Sequence, residues 1–384
     1  MSTTYYKLNV GKLPDELYRP EVPASQWLSR CETITSKTFP PNSLNTVDPI
    51  PFDVELERII GIHIYMIGNV FPFLIVPFIL LYALLPSSRI VIQCIFVYVF
   101  ALGAVEVCIF KPYFRNKYNL KADVIHNGSK EGIKLYQYAF TERNTSKYLS
   151  AKFIWPSSLH RPAMESTPML FAIVPHGVAP FGITTYPMWS KLFNDTLCRW
   201  TCAPVLLSIP IISIFLRNIG YIPAKSSSIV ETLTKKEQNV GIILDGIAGM
   251  FQQSSKEEKA YLKKRLGIIK IALRSGAPIV PVYGFGHTDM YTVVVDPLGI
   301  LEKLSHMLGA SLTPFFGRWM WFLGPPRRTP ISVVFGEPIV CPKVEEPTKE
   351  MIVEYHQKML DAYENLFETH KEAYGWKDKK LRFV

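Results

Sequence analysis

"MLFAIVPHGVAPFGI", residues 169–183, sets an apolar run against a histidine locked in a turn. The run from Met169 to Val174 is short, unbroken and bounded by turn residues, which reads as a buried β-strand. His176 therefore follows directly on a strand. Pro175 stiffens the backbone before it and Gly177 frees the backbone after it, so the turn fixes where the imidazole points. At the carboxyl edge of a parallel sheet, that is where sites are built. Taken locally, the residues leave two readings open: a turn histidine satisfied by a backbone carbonyl, or a functional group aimed by its turn.

Further strands surround this one in sequence: "NVGIIL" (239–244), "PIVPVYGF" (278–285), "YTVVVD" (291–296) and "PISVVFG" (330–336). Helical stretches fall between them. In "SIVETLTKK", Ser228 and Glu231 form a capping-box pattern that predicts a helix start. "GIIKIALRSG" predicts a helix closed by Gly276, with Arg274 in its last turn. Pro347, Thr348 and Glu350 open a long helix running to about Tyr374 and closed by Gly375. Its Ile352, Tyr355, Met359, Tyr363 and Phe367 recur at helical spacing, so one face is buried. Strands alternating with helices imply an α/β domain, a mainly parallel sheet flanked by helices, over residues 116–384.

Upstream, residues 1–55 are polar, proline-containing and weakly patterned, and read as a mobile cytosolic arm. Residues 56–115 hold two long apolar runs, Ile59–Leu85 and Ile90–Phe110. Each exceeds the roughly 20 residues that cross a bilayer core of about 30 Å. "PSSR" (86–89) alone separates them, so they form a hairpin with both ends on one side. Arg58 precedes the pair and Lys111, Arg115 and Lys117 follow it, which puts both ends in the cytosol. Pro72 and Pro77 leave a re-entrant hairpin open beside a transmembrane one, and a pair of buried core helices is the alternative to both.

The chain has 384 residues, is 48% hydrophobic and only 19% charged, and carries a formal net charge of +10. The low charge favours membrane contact, and the basic balance favours anionic partners. No nucleic-acid motif is present, so nucleic acid is discounted. The six cysteines form no C-x-x-C pair and no zinc-like set with histidines, which reads as reduced thiols and no metal. G-x-S-x-G, G-x-G-x-x-G, Walker A and H-E-x-x-H are all absent from the sequence.

"VPHG" (174–177), "KKRLGIIKIALRSGAPIVPVYGFG" (263–286) and "PISVVFGEPIVCPKVEEPTKEMIVEYHQKMLDAYENLFETHKEAYG" (330–375) together resemble the type-2 diacylglycerol acyltransferase family, which includes monoacylglycerol and wax-ester acyltransferases. The resemblance implies a glycerolipid-acyltransferase-like α/β core. It implies transfer of a fatty acyl group from acyl-CoA to the hydroxyl of diacylglycerol, with acyl-CoA as substrate and no cofactor. The chain departs from the family pattern at two points. Val174 stands where a histidine is usual in His-Pro-His-Gly, leaving His176 as the base. Gly249, in "LDGIAGMF", stands where the glutamate of a G-G-x-x-E-like segment is expected, and His287 replaces a residue that is commonly acidic.

The implied chemistry suits a neutral imidazole. An alcohol becomes a competent nucleophile when a base near neutral pKa takes its proton, and a thioester is already activated. Backbone N–H groups near Gly177 and Val178 are expected to hold the oxyanion. Asp245, which ends a strand, is either the acid that orients His176 or an ordinary turn residue before Gly246. The resemblance places Lys264, Arg265 and Arg274 at CoA phosphates, with Arg274 equally accounted for as a helix-end cation. Pro175, Gly177 and Gly246 complete the expected substrate-binding set. "APVLLSIPIISIFL" (203–216) reads as core or as a lipid-facing wall.

Expected partners are acyl-CoA, diacylglycerol and membrane lipids, with self-association left open. The hairpin and the resemblance imply the endoplasmic reticulum membrane with a cytosolic catalytic domain, and lipid droplets besides. The rival readings are a monoacylglycerol or wax-ester synthase, and a hairpin protein whose catalytic domain has decayed, for which Val174 and Gly249 are the supporting features.

Overall fold

The computed structural model describes residues 3–18, 22–35, 39–52, 54–55, 58–59, 143–159, 167–179, 198–208, 220–251, 257–309 and 311–384, with single positions at 93, 97, 192 and 216. The hairpin expected over 56–115 lies almost wholly outside the described residues, as do Pro180 and Gly182. Among the described residues, no helix is long and apolar enough to cross a membrane.

The chain opens with β1 (Thr4–Asn9), α1 (Ala24–Leu28) and β2 (Glu32–Thr35). It continues through α2 (Arg143–Tyr148), β3 (Lys152–Pro156), β4 (Leu170–Val174), β5 (Cys198–Cys202) and β6 (Tyr221–Pro223). Next come α3 (Ser226–Thr234), β7 (Asn239–Ile243), α4 (Gly246–Met250), β8 (Glu257–Ala260) and α5 (Leu266–Ser275). The remainder is β9 (Ile279–Phe285), β10 (Thr292–Val293), α6 (Ile300–Leu308), β11 (Phe315–Phe316), β12 (Ser332–Phe335), α7 (Lys349–His370) and β13 (Lys380–Phe383).

Nine strands form one sheet in the order β2-β1-β3-β12-β9-β4-β7-β5-β6. From β9 to β6 every pairing is parallel. The other half is tied on by antiparallel pairings of β9 with β12, β3 with β1 and β1 with β2. The sheet is thus mixed, and the parallel order expected from the sequence holds in the half that carries His176. The arm expected to be mobile is instead two strands of this sheet: Tyr5 pairs with Pro156 and Leu8 with Phe153, and Tyr5 and Leu8 are buried.

β4 is buried at all five positions, which explains its unbroken apolar run. Its side chains alternate between two cores. Leu170, Ala172 and Val174 pack with residues of α3, α5 and α7, whereas Phe171 and Ile173 pack with Phe335, Trp155 and Trp27 on the other face. Gly276 and Thr348 act as their residues demand, but α7 ends at His370 with Lys371 as its C-cap, short of the expected Tyr374, and Gly375 at φ +86° closes the turn that follows. Gly276 closes α5 in the left-handed region at φ +72°, and Thr348 caps α7 by accepting from Met351 N–H at 3.3 Å.

Two further local expectations are corrected. α3 begins at Ser226, so Ser228 lies inside the helix with its carbonyl accepting from Thr232 Oγ1, and Glu231 pairs with Lys236 instead of completing a cap. Three consecutive serines gave no unique start, and the chain turns into helix two residues early. The strand expected over 291–296 shrinks to Thr292–Val293, paired with β11 in a separate two-stranded sheet.

β4 lies between β9 and β7. The connection leaving β4 leads two places to one side, to β5. The path leaving β7 leads two places to the other side, to β9. The carboxyl ends of β4 and β7 are therefore a topological switch point, where an α/β sheet leaves an open crevice.

Candidate active site

Register brings the two ends together. Ile173 pairs with Ile243, and Leu244 N–H donates to Ile173 O at 3.0 Å. The residues that follow, Pro175–Gly177 on one strand and Asp245 on the other, share the switch point.

Each residue of the Pro-His-Gly turn is held by a separate polar contact. Pro175 O accepts from His287 Nδ1 at 3.0 Å. His176 N–H donates to Asp245 Oδ2 at 2.9 Å. Gly177 O accepts from His176 Nδ1 at 2.7 Å. A carbonyl oxygen can only accept, so Nδ1 of His176 carries the ring proton and Nε2 presents its lone pair. The ring is half-buried, and burial holds its pKa below the usual histidine value. At neutral pH it is an uncharged base.

Asp245 therefore acts otherwise than expected. It does not meet the imidazole; it fixes the backbone that carries it. Its side chain is wholly buried, and among the described residues Oδ1 has no partner. Burial pushes its carboxyl up to about 7, against the lowering effects of the His176 N–H and the nearby Arg265. Gly249 explains the room available to this carboxyl. A Cβ at 249 would lie 2.3 Å from Asp245 Oδ2. The space left by the missing side chain at 249 is filled from one helical turn earlier.

His287 is the component that sequence reasoning left without a role. It is buried, its pKa is lowered to about 4 by burial, and its ring touches the turn through Pro175 O. Two glycines make room for it: a Cβ on Gly177 would stand 2.5 Å from His287 O, and one on Gly284 would stand 2.5 Å from the His287 ring. Gly177 also sits at φ +61°, a conformation that favours glycine. The signal available in the sequence was "GFGH", two glycines flanking the end of a buried strand.

The basic residues separate. Arg265 is exposed, caps the start of α5 and donates from Nη2 to Asp245 O at 3.3 Å, beside Gly246 at φ +52°. Lys264 is exposed next to it. Arg274 lies in the last turn of α5. At about 1.5 Å of rise per residue it is on the order of 13 Å from Arg265, toward the edge where β9 begins. The structure does not bring it to His176; there it serves as a cation at a helix carboxyl end. Two other histidines are structural: His356 Nε2 meets Leu262 O at 2.9 Å and His370 Nδ1 meets Leu366 O at 2.9 Å.

A family model described as diacylglycerol acyltransferase matches residues 126–384. The chain is 30% identical over 221 residues to the 2-acylglycerol O-acyltransferase 1 of Bos taurus, covering 54% of this chain and 66% of that protein. It is 32% identical over 223 residues to the diacylglycerol O-acyltransferase 2 of Homo sapiens, covering 54% and 57%. It is 28% identical over 217 residues to the acyl-CoA wax alcohol acyltransferase 2 of Homo sapiens, covering 52% and 65%. In each case the chain spans less than two thirds of the relative's length. Among solved structures, the 1-acyl-sn-glycerophosphate acyltransferase of Thermotoga maritima is similar at 15% identity and a TM-score of 0.40, over 71% of this chain and 94% of that one.

Proposed function

We propose that this chain, which belongs to the diacylglycerol acyltransferase family, moves a fatty acyl group from acyl-CoA to a lipid hydroxyl, with diacylglycerol as acceptor and triacylglycerol as product. The observation that carries the reading is the hydrogen bond of His176: with Nδ1–H committed to Gly177 O, Nε2 is an unprotonated base on a half-buried ring at the sheet's switch point. Nε2 takes the hydroxyl proton as the acceptor oxygen attacks the thioester carbon. The tetrahedral oxyanion is held by the N–H groups of Gly177 and Val178. Collapse breaks the carbon–sulfur bond, and the leaving CoA thiolate recovers the proton from the imidazolium. Lys264 and Arg265 offer exposed cations beside the crevice for CoA phosphates.

The acceptor is the finer part of the reading. Relatives named for 2-acylglycerol and wax alcohol are as similar as those named for diacylglycerol. The decayed-enzyme alternative loses one of its two supports, because the space at Gly249 is occupied by the Asp245 carboxyl. The two apolar runs at 59–85 and 90–110 support placement in a membrane, and the family suggests the endoplasmic reticulum membrane and lipid droplets as the site. The test is transfer of labelled acyl-CoA to diacylglycerol, monoacylglycerol and a long-chain alcohol, each with the intact protein and with His176→Ala. The expected result is diacylglycerol-dependent product that His176→Ala reduces at least about a thousandfold, the scale of a lost general base and its positioning. Ordinary turnover by His176→Ala would refute the mechanism.

A further inference from the structure

Between β9 and β12 the chain makes an excursion that leaves the sheet after Phe285. Of the nineteen large apolar residues that stand exposed among the described residues, eleven fall between Val294 and Phe322. Four of them lie on α6. Ile300, Leu304, Met307 and Leu308 share one face by helical spacing, and all four are exposed, Met307 at 81%. The buried position is polar: Ser305 is inaccessible, donating to Leu301 O and accepting from Leu312 N–H. The helix is inside out for a water-facing element.

α6 is also held firmly. Asp296 accepts from Ile300 N–H and Glu302 N–H through its two oxygens, and left-handed Gly299 and Gly309 close both ends. Val295 and Leu298, just before it, are 81% and 74% exposed. At the other end of the excursion, Trp319 and Met320 stand exposed on a turn whose non-glycine residues take positive φ. Arg318 lies against the Trp319 ring at 4.5 Å with its charge paired to Glu55, and exposed Lys303 flanks the apolar face of α6 beside His306, which faces Glu302.

We propose that the outer face of α6, with Val295, Leu298 and the Trp319–Met320 turn, seats in the headgroup–acyl boundary of a phospholipid bilayer and brings a lipid acceptor to His176. An exposed apolar helix face with a lysine beside it, followed in the same excursion by exposed tryptophan, is the pattern of an interfacial element. A net charge of +10 complements anionic headgroups. The place is right as well: α6 packs on α4, the helix that follows Asp245. The acceptor role rests on the acyltransferase reading; the seating itself does not.

The full chain is reconstituted in vesicles of phosphatidylcholine and phosphatidylserine with p-benzoylphenylalanine at Val295, at Met307 or, as the control, at Val353 on α7, which is 63% exposed. After irradiation, phospholipid adducts at 295 and 307 are expected to exceed those at 353 by about tenfold. Adducts only to peptides of the same chain, only to a second copy, or no more than at 353, each overturn the proposal. Leu304→Glu with Met307→Glu is expected to lower transfer to vesicle-embedded diacylglycerol by about tenfold while sparing a short water-soluble alcohol; equal loss with both acceptors overturns the delivery role. Full activity in His176→Ala would overturn the acyltransferase mechanism and leave the adduct result standing.

Discussion

Asp245 shows how one side chain can be correctly placed and wrongly connected. Its position after a strand beside His176 was readable, but its partner was the backbone N–H and not the ring. The distinction has consequences for substitution. Asp245→Asn keeps an oxygen that accepts from His176 N–H and removes a buried charge, so turnover is expected to stay within about threefold, whereas Asp245→Ala leaves that N–H unpaired at a cost of about 1–3 kcal/mol. Stability against pH separates the two roles further. The carboxyl moves from the ordinary 3.8 in the unfolded chain to about 7 in the fold. Between those values the folded state binds more protons, so its contribution is full below pH 4 and is lost as pH rises through 7. Buried His287 and His370 act in the opposite sense: each falls from 6.5 to about 4, so the stability from keeping them neutral is lost as pH falls through that window. Asp245→Asn should therefore match the parent near pH 4 and exceed it by a few kcal/mol at pH 8. Denaturation midpoints at the two pH values check this, and an unchanged gap would place Asp245 in a polar setting rather than a buried one.

Among the elements, those fixed by local chemistry were legible and those fixed by distant pairing were not. α5 and α7 carry their own stops, Gly276 and Thr348, within a few residues of their ends. β4 and β9 are apolar because both faces are covered, and that too is written in the run itself. β1 gave no such signal. "TYYKLN" alternates weakly, and it becomes a strand only because β3, nearly 150 residues away, offers an edge to pair with. Long-range pairing of this kind leaves no local period to detect. The same holds at the site: His176 was found because its turn residues adjoin it, while His287 reaches Pro175 O from the turn after β9, more than a hundred residues away. The β1 pairing carries a prediction of its own. Deleting residues 1–9 would uncover the β3 edge and strip Tyr5 and Leu8 from the two cores. The truncated chain is expected to aggregate or to melt at least about 5 °C lower. A truncation that melts with the parent would restore the view of this segment as a mobile arm.

At the scale of the molecule, the carboxyl-terminal strand reaches back to the site. β13 pairs in parallel with β8, and the pair sets Glu258 into the interior at 2% exposure. Lys379, just before β13, meets Glu258 Oε1 at 2.9 Å and covers the Trp376 ring at 3.7 Å. Glu258 also accepts from Thr288 Oγ1 at 3.1 Å, and Thr288 follows His287. One buried carboxylate thus ties the last strand to the loop that braces the Pro-His-Gly turn. Burial drives the Glu258 carboxyl up to about 7 even with Lys379 beside it, so the pair is poised and depends on its cation. Lys379→Met removes the counter-charge and drives the carboxyl further up, so the loss of stability is expected to be small near pH 7 and to grow as pH rises above it. Adding Glu258→Gln removes the charge that needed pairing and is expected to recover most of the loss. The cycle is read by melting temperature and by acyl transfer together. If the brace matters to the site, Lys379→Met lowers turnover of the folded fraction and the double variant restores it. If activity per folded molecule is unchanged in both, β13 stabilises the domain without governing where His176 sits.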